Sequence, residues 1–173
     1  MRALVTGGAG FIGTNLIKRL LKDGHEIISF DNYSTGFECN HQDGCKYITV
    51  DVSYQNMSFD FSDVDVIFHM AALARIQPSI KNPSETLKNN FESTLNVLEY
   101  ARRNDIPVIY AGSSSKHHGL YGSPYAWSKY SGEQLCKLYS EVYGLNKILK
   151  HKSIRDINFK WFDTGDVEKL LKV

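Results

Sequence analysis

The chain has 173 residues, which suffices for one well-buried domain and leaves little room for a second. Its composition, 42% hydrophobic and 23% charged without low-complexity tracts, is typical of a folded globular protein and argues against disorder. A net charge of +1 with interspersed charges argues against a nucleic-acid partner, and no apolar run is long enough to cross a membrane.

The three cysteines, Cys39, Cys45 and Cys136, are an odd number and do not suggest a disulfide framework. The chain begins with an apolar strand pattern instead of a signal peptide, so we expect a cytoplasmic protein. Cys39, His41 and Cys45 match no standard zinc spacing, and we predict no metal site.

The N-terminal part alternates predicted strands with a helix. An apolar strand at 3–5 leads into a glycine-rich stretch, after which apolar residues recur at helical spacing over 12–21 and Gly24 closes the helix. Two further strands are predicted at 26–30 and 46–50, with an irregular polar stretch between them.

The central part continues the alternation. A buried strand at 64–70 precedes a long helix over 84–104, and a fifth strand at 107–111 precedes a helix over 123–143. Both helices are preceded by a capping residue and a first-turn proline, which marks a helix start. Strands that alternate with helices predict a parallel sheet covered on both faces.

The last segment can be interpreted in more than one way. Either 148–149 or 159–162 could supply a sixth strand, and 167–173 suggests a short helix. We therefore predict one domain over 1–144 and a short C-terminal segment over 145–173 that completes or flanks the sheet.

Gly7, Gly10 and Gly13 form a G-x-x-G-x-x-G motif between the first predicted strand and helix. Glycines there allow a tight turn and a close approach of backbone to a pyrophosphate, and the helix N-terminus supplies N–H donors and a favourable dipole. No Lys follows the last glycine, which excludes a P-loop. The motif predicts a dinucleotide site in a Rossmann-type α/β fold, a doubly wound parallel sheet in three α/β/α layers.

Asp31 stands eighteen residues after Gly13, at the end of the second predicted strand. A carboxylate there can accept hydrogen bonds from both hydroxyls of an adenosine ribose and repel a 2′-phosphate, which favours NAD over NADP. The alternative is a solvated aspartate in a turn. Asp51, at the end of the third strand, is a candidate to bind the adenine amino group.

Tyr125 and Lys129 stand four residues apart near the start of the last predicted helix, so they share one face. A lysine ammonium there can hold ribose hydroxyls and stabilise a phenolate, which makes the tyrosine a competent acid or base. The spacing occurs by chance in many helices, but here it follows the fifth strand and the serine run 113–115.

Five motifs occur in order over residues 1 to about 144: TGGAGFIG (6–13), DNYSTG (31–36), HMAA (69–72), NFESTLN (90–96) and YAWSK (125–129). Together they resemble the extended short-chain dehydrogenase/reductase family, in particular nucleotide-sugar epimerases and dehydratases of the UDP-glucose 4-epimerase type. The resemblance implies NAD as cofactor, a nucleotide sugar as substrate, and a homodimer formed by the helices over 84–104 and 123–143.

The resemblance also implies the site residues. Tyr125 is the catalytic base, Lys129 orients the nicotinamide ribose, and Ser114 hydrogen-bonds the sugar hydroxyl that is oxidised, with Ser113 as its rival. In this family hydride passes to C4 of NAD, and the resulting keto-sugar is re-reduced from the other face or loses water. The implied cofactor contacts are Gly7, Gly10, Phe11, Ile12, Gly13, Asp31, Asn32, Ser34, Thr35, Asp51, Val52, Ala71, Ala72, Asn90, Tyr125 and Lys129.

Two departures from the family pattern bear on function. The loop between the serine run and the tyrosine is short, and its His117 and His118 are either exposed loop residues, acid/base groups or phosphate contacts. Relatives are much longer, and their C-terminal half supplies most of the sugar-nucleotide pocket, in whose place this chain has 145–173. The alternative to an enzyme is therefore a non-catalytic NAD-binding module, or a remnant without a substrate pocket.

Overall fold

The computed structural model describes residues 1–54, 63–115 and 119–145, together with the backbone of 148–151. In chain order, the described strands are β1 (Arg2–Thr6), β2 (Glu26–Asp31), β3 (Cys45–Thr49), β4 (Val66–His69), β5 (Val108–Ala111) and β6 (Ile148–His151). All pairs are parallel, and the strand order is β3-β2-β1-β4-β5-β6. This is the order of the doubly wound dinucleotide-binding fold.

The described helices are α1 (Phe11–Lys22), α2 (Ile76–Lys81), α3 (Pro83–Asn104) and α4 (Pro124–Tyr143), with a 3₁₀ turn at Glu38–Asn40. Their ends follow the sequence signals in most places. Ser123 Oγ accepts a hydrogen bond from the Ala126 N–H at 3.1 Å, and Gly144 ends α4 with a left-handed φ of 66°. Gly24 likewise follows α1 with a φ of 82°.

Two hydrophobic clusters lie on opposite faces of the sheet, because successive strand residues point to opposite sides. Leu4 of β1 joins a cluster with Val97 and Leu98 of α3 and with residues of α4. Ala3 and Val5 join a second cluster, which Leu16, Ile17 and Leu20 of α1 cover. The predicted three-layer α/β/α arrangement is therefore confirmed.

The structure differs from the sequence prediction at several elements. It contains α2, which was not predicted because six residues with Pro78 among them show no helical period. Asn82 precedes α3 as expected, but its side chain donates to Glu85 Oε2 at 3.3 Å and caps no backbone N–H. The sixth strand falls on 148–151, while the alternative strand at 159–162 and the short helix predicted at 167–173 lie outside the described residues.

The strand order determines where a ligand can bind. From β1 the chain passes outward to β2 and β3, then returns to β4 on the other side of β1. The connections leave the carboxyl ends of β1 and β4 in opposite directions, which opens a crevice there. Within the described part of the chain, no helix is long and apolar enough to span a membrane.

Candidate functional site

The glycine motif forms the floor of this crevice. Gly7 has a φ of 73°, and a Cβ at Gly7 would lie 2.8 Å from the Cα of Ala71. A Cβ at Gly13 would overlap the carbonyl oxygen of Gly7, so the start of α1 packs directly on the turn. The absence of side chains at these two positions is therefore a steric requirement of the turn and leaves its backbone exposed to a ligand.

The segment after β2 clamps this turn through Ala9. Asp31 Oδ2 accepts the Ala9 N–H at 2.9 Å, and the Ala9 carbonyl accepts hydrogen bonds from Asn40 Nδ2 at 2.7 Å and from the Phe37 N–H at 3.2 Å. The other carboxylate oxygen of Asp31 accepts the Tyr33 N–H at 2.8 Å. Asp31 is 8% exposed as a residue, and both of its carboxylate oxygens are held by backbone N–H groups beside the glycine turn.

A cleft of about 380 Å³ lies above the turn. Every predicted cofactor residue lines it except Asn90, Tyr125 and Lys129, and Ser114 does not line it either. The lining residues that the sequence did not reveal are Phe30, Val50, Met70, Leu73, Ala74, Arg75, Asn89 and Ser93. Most of these flank predicted residues in the chain, and a strand-end pattern extended by one or two positions would have included them.

Asp51 lies in the cleft wall after β3. Its Oδ2 accepts Asn32 Nδ2 at 2.8 Å, and its Oδ1 accepts the Ser53 N–H at 2.9 Å and the Ser53 hydroxyl at 2.6 Å. Partial burial alone would raise the pKa of Asp51, but the hydrogen bonds from Ser53 and Asn32 outweigh it and lower the pKa below its usual value. Asp51 is therefore an ionised, oriented acceptor at the same end of the cleft as Asp31.

A chain of buried hydrogen bonds runs behind the cleft. The Ala71 N–H donates to Thr6 Oγ1 at 3.2 Å, Thr6 Oγ1 lies 2.8 Å from His69 Nδ1, and His69 Nε2 lies 3.2 Å from Thr94 Oγ1. Thr94 Oγ1 in turn donates to the Asn90 carbonyl at 2.8 Å. Because the Thr94 hydroxyl already donates its hydrogen to that carbonyl, Thr94 Oγ1 must accept the hydrogen bond from His69. His69 is therefore the Nε2–H tautomer, and the Thr6 hydroxyl donates to its Nδ1.

Burial keeps His69 neutral. The pKa of His69 falls to about 3, first because the ring is removed from water and second because the Lys129 ammonium lies nearby. A neutral ring is what the hydrogen-bond chain requires, since an imidazolium would have no acceptor for Thr6.

Asn90 connects the cleft to the helix that carries the tyrosine. Its Oδ1 accepts the Leu73 N–H at 2.8 Å, and its Nδ2 donates to Ser128 Oγ at 2.9 Å. Ser128 Oγ donates in turn to the Tyr125 carbonyl at 2.9 Å. The buried Asn90 side chain thus connects the segment after β4 to the first turn of α4. It lies behind the cleft wall and does not line the cleft.

Tyr125 and Lys129 occupy consecutive turns of α4. Tyr125 is half-buried, and its N–H donates to Ser79 Oγ of α2 at 3.2 Å. Lys129 is 5% exposed, and its Nζ lies 4.1 Å from the centroid of the Tyr110 ring. Burial lowers the pKa of Lys129 to about 8, although Cys136 and Glu133 act in the opposite direction.

The serine run lies at the end of β5. Ser113 Oγ is 2.8 Å from Ser115 Oγ and accepts the Ser115 N–H at 3.2 Å, so its hydroxyl is engaged within the turn. Ser114 is half-buried, and no side-chain hydrogen bond joins its hydroxyl to another residue of the described ranges. His117 and His118 lie outside the described residues.

The residues Cys39, His41 and Cys45 do not converge. Cys39 is exposed, whereas the His41 ring stacks on Tyr47 at 3.7 Å and its Nε2 lies 3.0 Å from the Tyr33 hydroxyl. Among the described ranges no group of three His, Cys, Asp or Glu side chains is placed to hold a metal ion.

Comparison with known proteins identifies similar sequences. The model of a family described as "NAD dependent epimerase/dehydratase family" matches residues 3–150. A putative UDP-glucose 4-epimerase of Methanocaldococcus jannaschii is 32% identical over 168 residues, which cover 87% of this chain and 55% of that protein. UDP-glucuronic acid decarboxylase 1 of Danio rerio is 36% identical over 125 residues, 71% of this chain and 29% of that protein.

Solved structures show the same likeness. The UDP-glucose 4-epimerase of Thermus thermophilus in complex with NAD matches with a TM-score of 0.77 and 29% identity, over 87% of this chain and 54% of that one. The UDP-glucose 4-epimerase of Thermotoga maritima with UDP-glucose matches with a TM-score of 0.76 and 28% identity, over 83% and 52%. The chain thus spans about half the length of these epimerases.

Proposed function

The chain belongs to the NAD-dependent epimerase/dehydratase family, and from this premise we propose that it binds NAD and transfers hydride to and from a hydroxyl-bearing carbon of a nucleotide sugar. The observation that carries the proposal is the cleft at the β1–β4 switch point, which the glycine turn, Asp31 and Asp51 line and which Asn90 ties to the helix of Tyr125.

The cleft fits a dinucleotide in one orientation. The glycine turn leaves room for a pyrophosphate where any side chain would collide with backbone, and Asp31 with Asp51 offers acceptors for adenosine at one end. Arg75 is the only cationic residue among the described ones that line the cleft, and it follows β4, on the opposite side of β1 from Asp31. Among the described residues that line the cleft, no cation therefore lies beside Asp31 to offset a 2′-phosphate, which supports NAD over NADP.

The chemistry assigns one role to each catalytic candidate. NAD supplies a hydride acceptor and, later, the donor. Tyr125 removes the proton of the sugar hydroxyl, Ser114 holds that hydroxyl, and the ammonium of Lys129 stabilises the phenolate and binds ribose hydroxyls. Reduction of the keto-sugar from the other face reverses the same proton transfer and gives the epimer.

We also propose the organisation of the protein. Residues 1–144 form the NAD domain, and the pairing of β6 with β5 supports a role of 145–173 in completing the sheet. About half of each relative's length lies outside what this chain matches, so the identity of the nucleotide sugar is left to the experiment. The free thiols Cys39 and Cys45 support a cytoplasmic location.

A homodimer completes the proposal. Apolar residues are exposed along α3 and α4, although both helices already cover the sheet: Phe91 (40%), Leu138 (49%), Val142 (61%) and Tyr143 (53%). A surface of this kind is what two copies would bury when they pair their α3 and α4 helices.

The decisive experiment incubates the chain and NAD with a panel of UDP-, GDP- and dTDP-sugars and analyses the products by NMR. An epimer or a dehydrated keto-sugar supports the enzyme, and its identity names the substrate. Calorimetric NAD binding without conversion of any sugar supports the non-catalytic NAD-binding module instead. Failure to bind NAD contradicts both.

A further inference from the structure

The short helix α2 is buried through a polar residue. Of the six residues that the structure describes in this helix, Ser79 alone is buried, with 0% of its surface exposed. The apolar residues Ile76 and Ile80 on either side of it are 47% and 51% exposed. The hydrophobic effect would bury the isoleucines and leave the serine in water, so it does not explain how α2 is held against the protein.

The hydroxyl of Ser79 makes two hydrogen bonds. It donates to the Ile76 carbonyl at 2.6 Å, and its oxygen accepts the N–H of Tyr125 at 3.2 Å. A hydroxyl has one hydrogen to donate, so the direction of both bonds is fixed. The N–H of Ser79 donates in turn to the carbonyl of Arg75, which lines the cleft, at 3.2 Å. Ser79 therefore joins the first turn of α4 to the segment that directly follows the cleft wall.

The first turn of α4 needs this acceptor. At the first helical position Pro124 has no N–H, and at the third the Ala126 N–H donates to Ser123 Oγ at 3.1 Å. The second position is Tyr125, and the oxygen that accepts its N–H belongs to Ser79 of a different helix. Ser79 thus acts as a cap for α4 that is supplied from outside the helix.

The carbonyl of Tyr125 is also held. It accepts the Ser128 hydroxyl at 2.9 Å, and Ser128 Oγ accepts Asn90 Nδ2 at 2.9 Å. The Oδ1 of Asn90 accepts the N–H of Leu73, a residue of the cleft wall, at 2.8 Å. Both main-chain polar groups of Tyr125 are therefore connected to the cleft wall after β4, one through α2 and the other through Asn90.

We propose that Ser79 is a positioning residue for Tyr125: its hydroxyl fixes the start of α4 to α2 and so sets the place of the tyrosine side chain relative to the cleft. The consequence for turnover rests on the proposed function, in which the Tyr125 phenol must reach a sugar hydroxyl beside the cofactor. The hydrogen bond and the place of the ring do not depend on that function. Ser79 is not among the described residues that line the cleft, so it acts through the backbone of Tyr125.

Turnover should depend on Ser79 more strongly than binding does. Ser79→Ala removes the hydroxyl and little volume, so α4 keeps its packing while its first turn is free to shift. A displacement of a reacting group by about 1 Å can lower a rate by roughly 10²-fold. We expect kcat to fall by roughly ten- to a hundredfold, with the KM for the sugar and the Kd for NAD changed by less than about threefold.

The matched control is Tyr139→Phe. The Tyr139 hydroxyl donates to Glu99 Oε1 at 2.7 Å and joins the other end of α4 to α3, so its removal loosens the same helix far from Tyr125. The kcat of the folded protein should stay at the wild-type value. A purely structural role of Ser79 predicts that both variants lower stability in urea and that neither lowers the kcat of the folded protein. A kcat that is equal in wild type and in Ser79→Ala overturns the proposal.

Hydrogen exchange tests the contact without NAD or a sugar. In Ser79→Ala the Tyr125 N–H should exchange at least about tenfold faster than in the wild type, whereas Tyr139→Phe should leave its rate unchanged. If Ser79→Ala does not fold, Ser79→Cys takes its place, because a thiol fills the site but is only a weak acceptor, and it should also speed the exchange. A Tyr125 exchange rate that matches the wild type in the folded variant refutes the contact.

NMR of the NAD complex separates this inference from the proposed function. If NAD binds but no sugar is converted, nuclear Overhauser effects between the Tyr125 ring and the nicotinamide decide the matter. They should differ between wild type and Ser79→Ala and agree between wild type and Tyr139→Phe, and identical effects in wild type and Ser79→Ala overturn the positioning role. If no variant binds NAD, the proposed function fails, while the exchange rates still decide whether Ser79 holds the start of α4.

Discussion

At the scale of single residues, the proposed role of Tyr125 as catalytic base depends on one atom, its phenolic oxygen. Tyr125→Phe should lower turnover by roughly 10² to 10⁴-fold, because the proton acceptor is gone. NAD affinity should change by less than about tenfold, since at most one hydrogen bond to the cofactor is lost. Product analysis by NMR and calorimetry measure the two quantities.

The control for this prediction is Tyr143→Phe, which removes a hydroxyl from the exposed end of the same helix and should change neither quantity. Turnover that is equal in wild type and in Tyr125→Phe would contradict the assignment of the base.

Asp31 allows a second residue-scale prediction. Its carboxylate is fixed by the amides of Ala9 and Tyr33, so it cannot swing away from a 2′-phosphate. NAD should therefore bind at least about tenfold more tightly than NADP, a difference of roughly 1.4 kcal/mol. Asp31→Asn keeps the shape of the side chain and removes its charge, so it should reduce the difference in affinity between NAD and NADP. Equal calorimetric affinities of the wild type for both cofactors would refute the role of Asp31.

At the scale of elements, the segment after β2 holds the glycine turn through Asn40. The amide of Asn40 donates to the Ala9 carbonyl at 2.7 Å, and Thr14 of α1 donates to the Asn40 carbonyl at 2.5 Å. Asn40→Ala should lower NAD affinity by roughly three- to tenfold, because the turn loses one of its fixed contacts.

Asn104→Ala is the matched control for the loss of the hydrogen bond between Asn40 and the glycine turn. It removes a similar hydrogen bond, from the Asn104 amide to the Tyr100 carbonyl at 2.9 Å, at the exposed end of α3. Calorimetry should show no effect on NAD affinity there. If Asn104→Ala lowers the affinity for NAD as much as Asn40→Ala does, then general destabilisation lowers the affinity, and not the loss of the Asn40–Ala9 hydrogen bond.

The paired helices α3 and α4 give the prediction on assembly. Light scattering at micromolar concentration should give twice the chain mass of 19.6 kDa. Leu138→Glu places a charge on the exposed apolar surface of α4 and should give the monomer mass, whereas Lys22→Glu on α1 should leave the dimer intact. A monomeric wild type would contradict the proposed dimer.

At the scale of the whole molecule, His69 couples stability to pH. Its pKa is about 3 in the folded protein and 6.5 without the fold, so between these values the unfolded chain binds more protons. The free energy of unfolding should therefore fall as pH is lowered through 6.5, by about 1.4 kcal/mol per pH unit well below that value. Asp51 adds to the loss only at lower pH, because its pKa is below its usual value.

Urea unfolding at several pH values between 7 and 5 measures this effect. His69→Asn, which keeps a polar donor and acceptor at this position but does not titrate in this range, should lose less stability between pH 7 and 5 than the wild type. Parallel pH profiles of the two proteins would show that His69 is not the group responsible.

The features that could be predicted from the sequence are those marked by local patterns, whereas contacts between residues far apart in the chain could not be predicted. The glycine motif, Asp31 at a strand end and the Tyr125–Lys129 spacing are local patterns. The glycine motif led to the fold, and the family resemblance supplied most of the residues that line the cleft. Asn40 and Ser79 act on residues that are 31 and 46 positions away, so no local pattern marks them. Asn90 was found as a motif residue, but its partners Leu73 and Ser128 are visible only in three dimensions.

The hydrogen-bond chain through His69 has a fixed direction, from the Ala71 N–H to the Asn90 carbonyl. Both ends are main-chain groups, which neither release nor take up a proton at ordinary pH. This hydrogen-bond chain therefore aligns the dipoles of its groups in one direction, but it cannot conduct protons. In the proposed epimerisation, the proton that Tyr125 takes from the sugar hydroxyl is returned to the sugar by the reverse transfer, so the reaction does not require this buried chain to carry it.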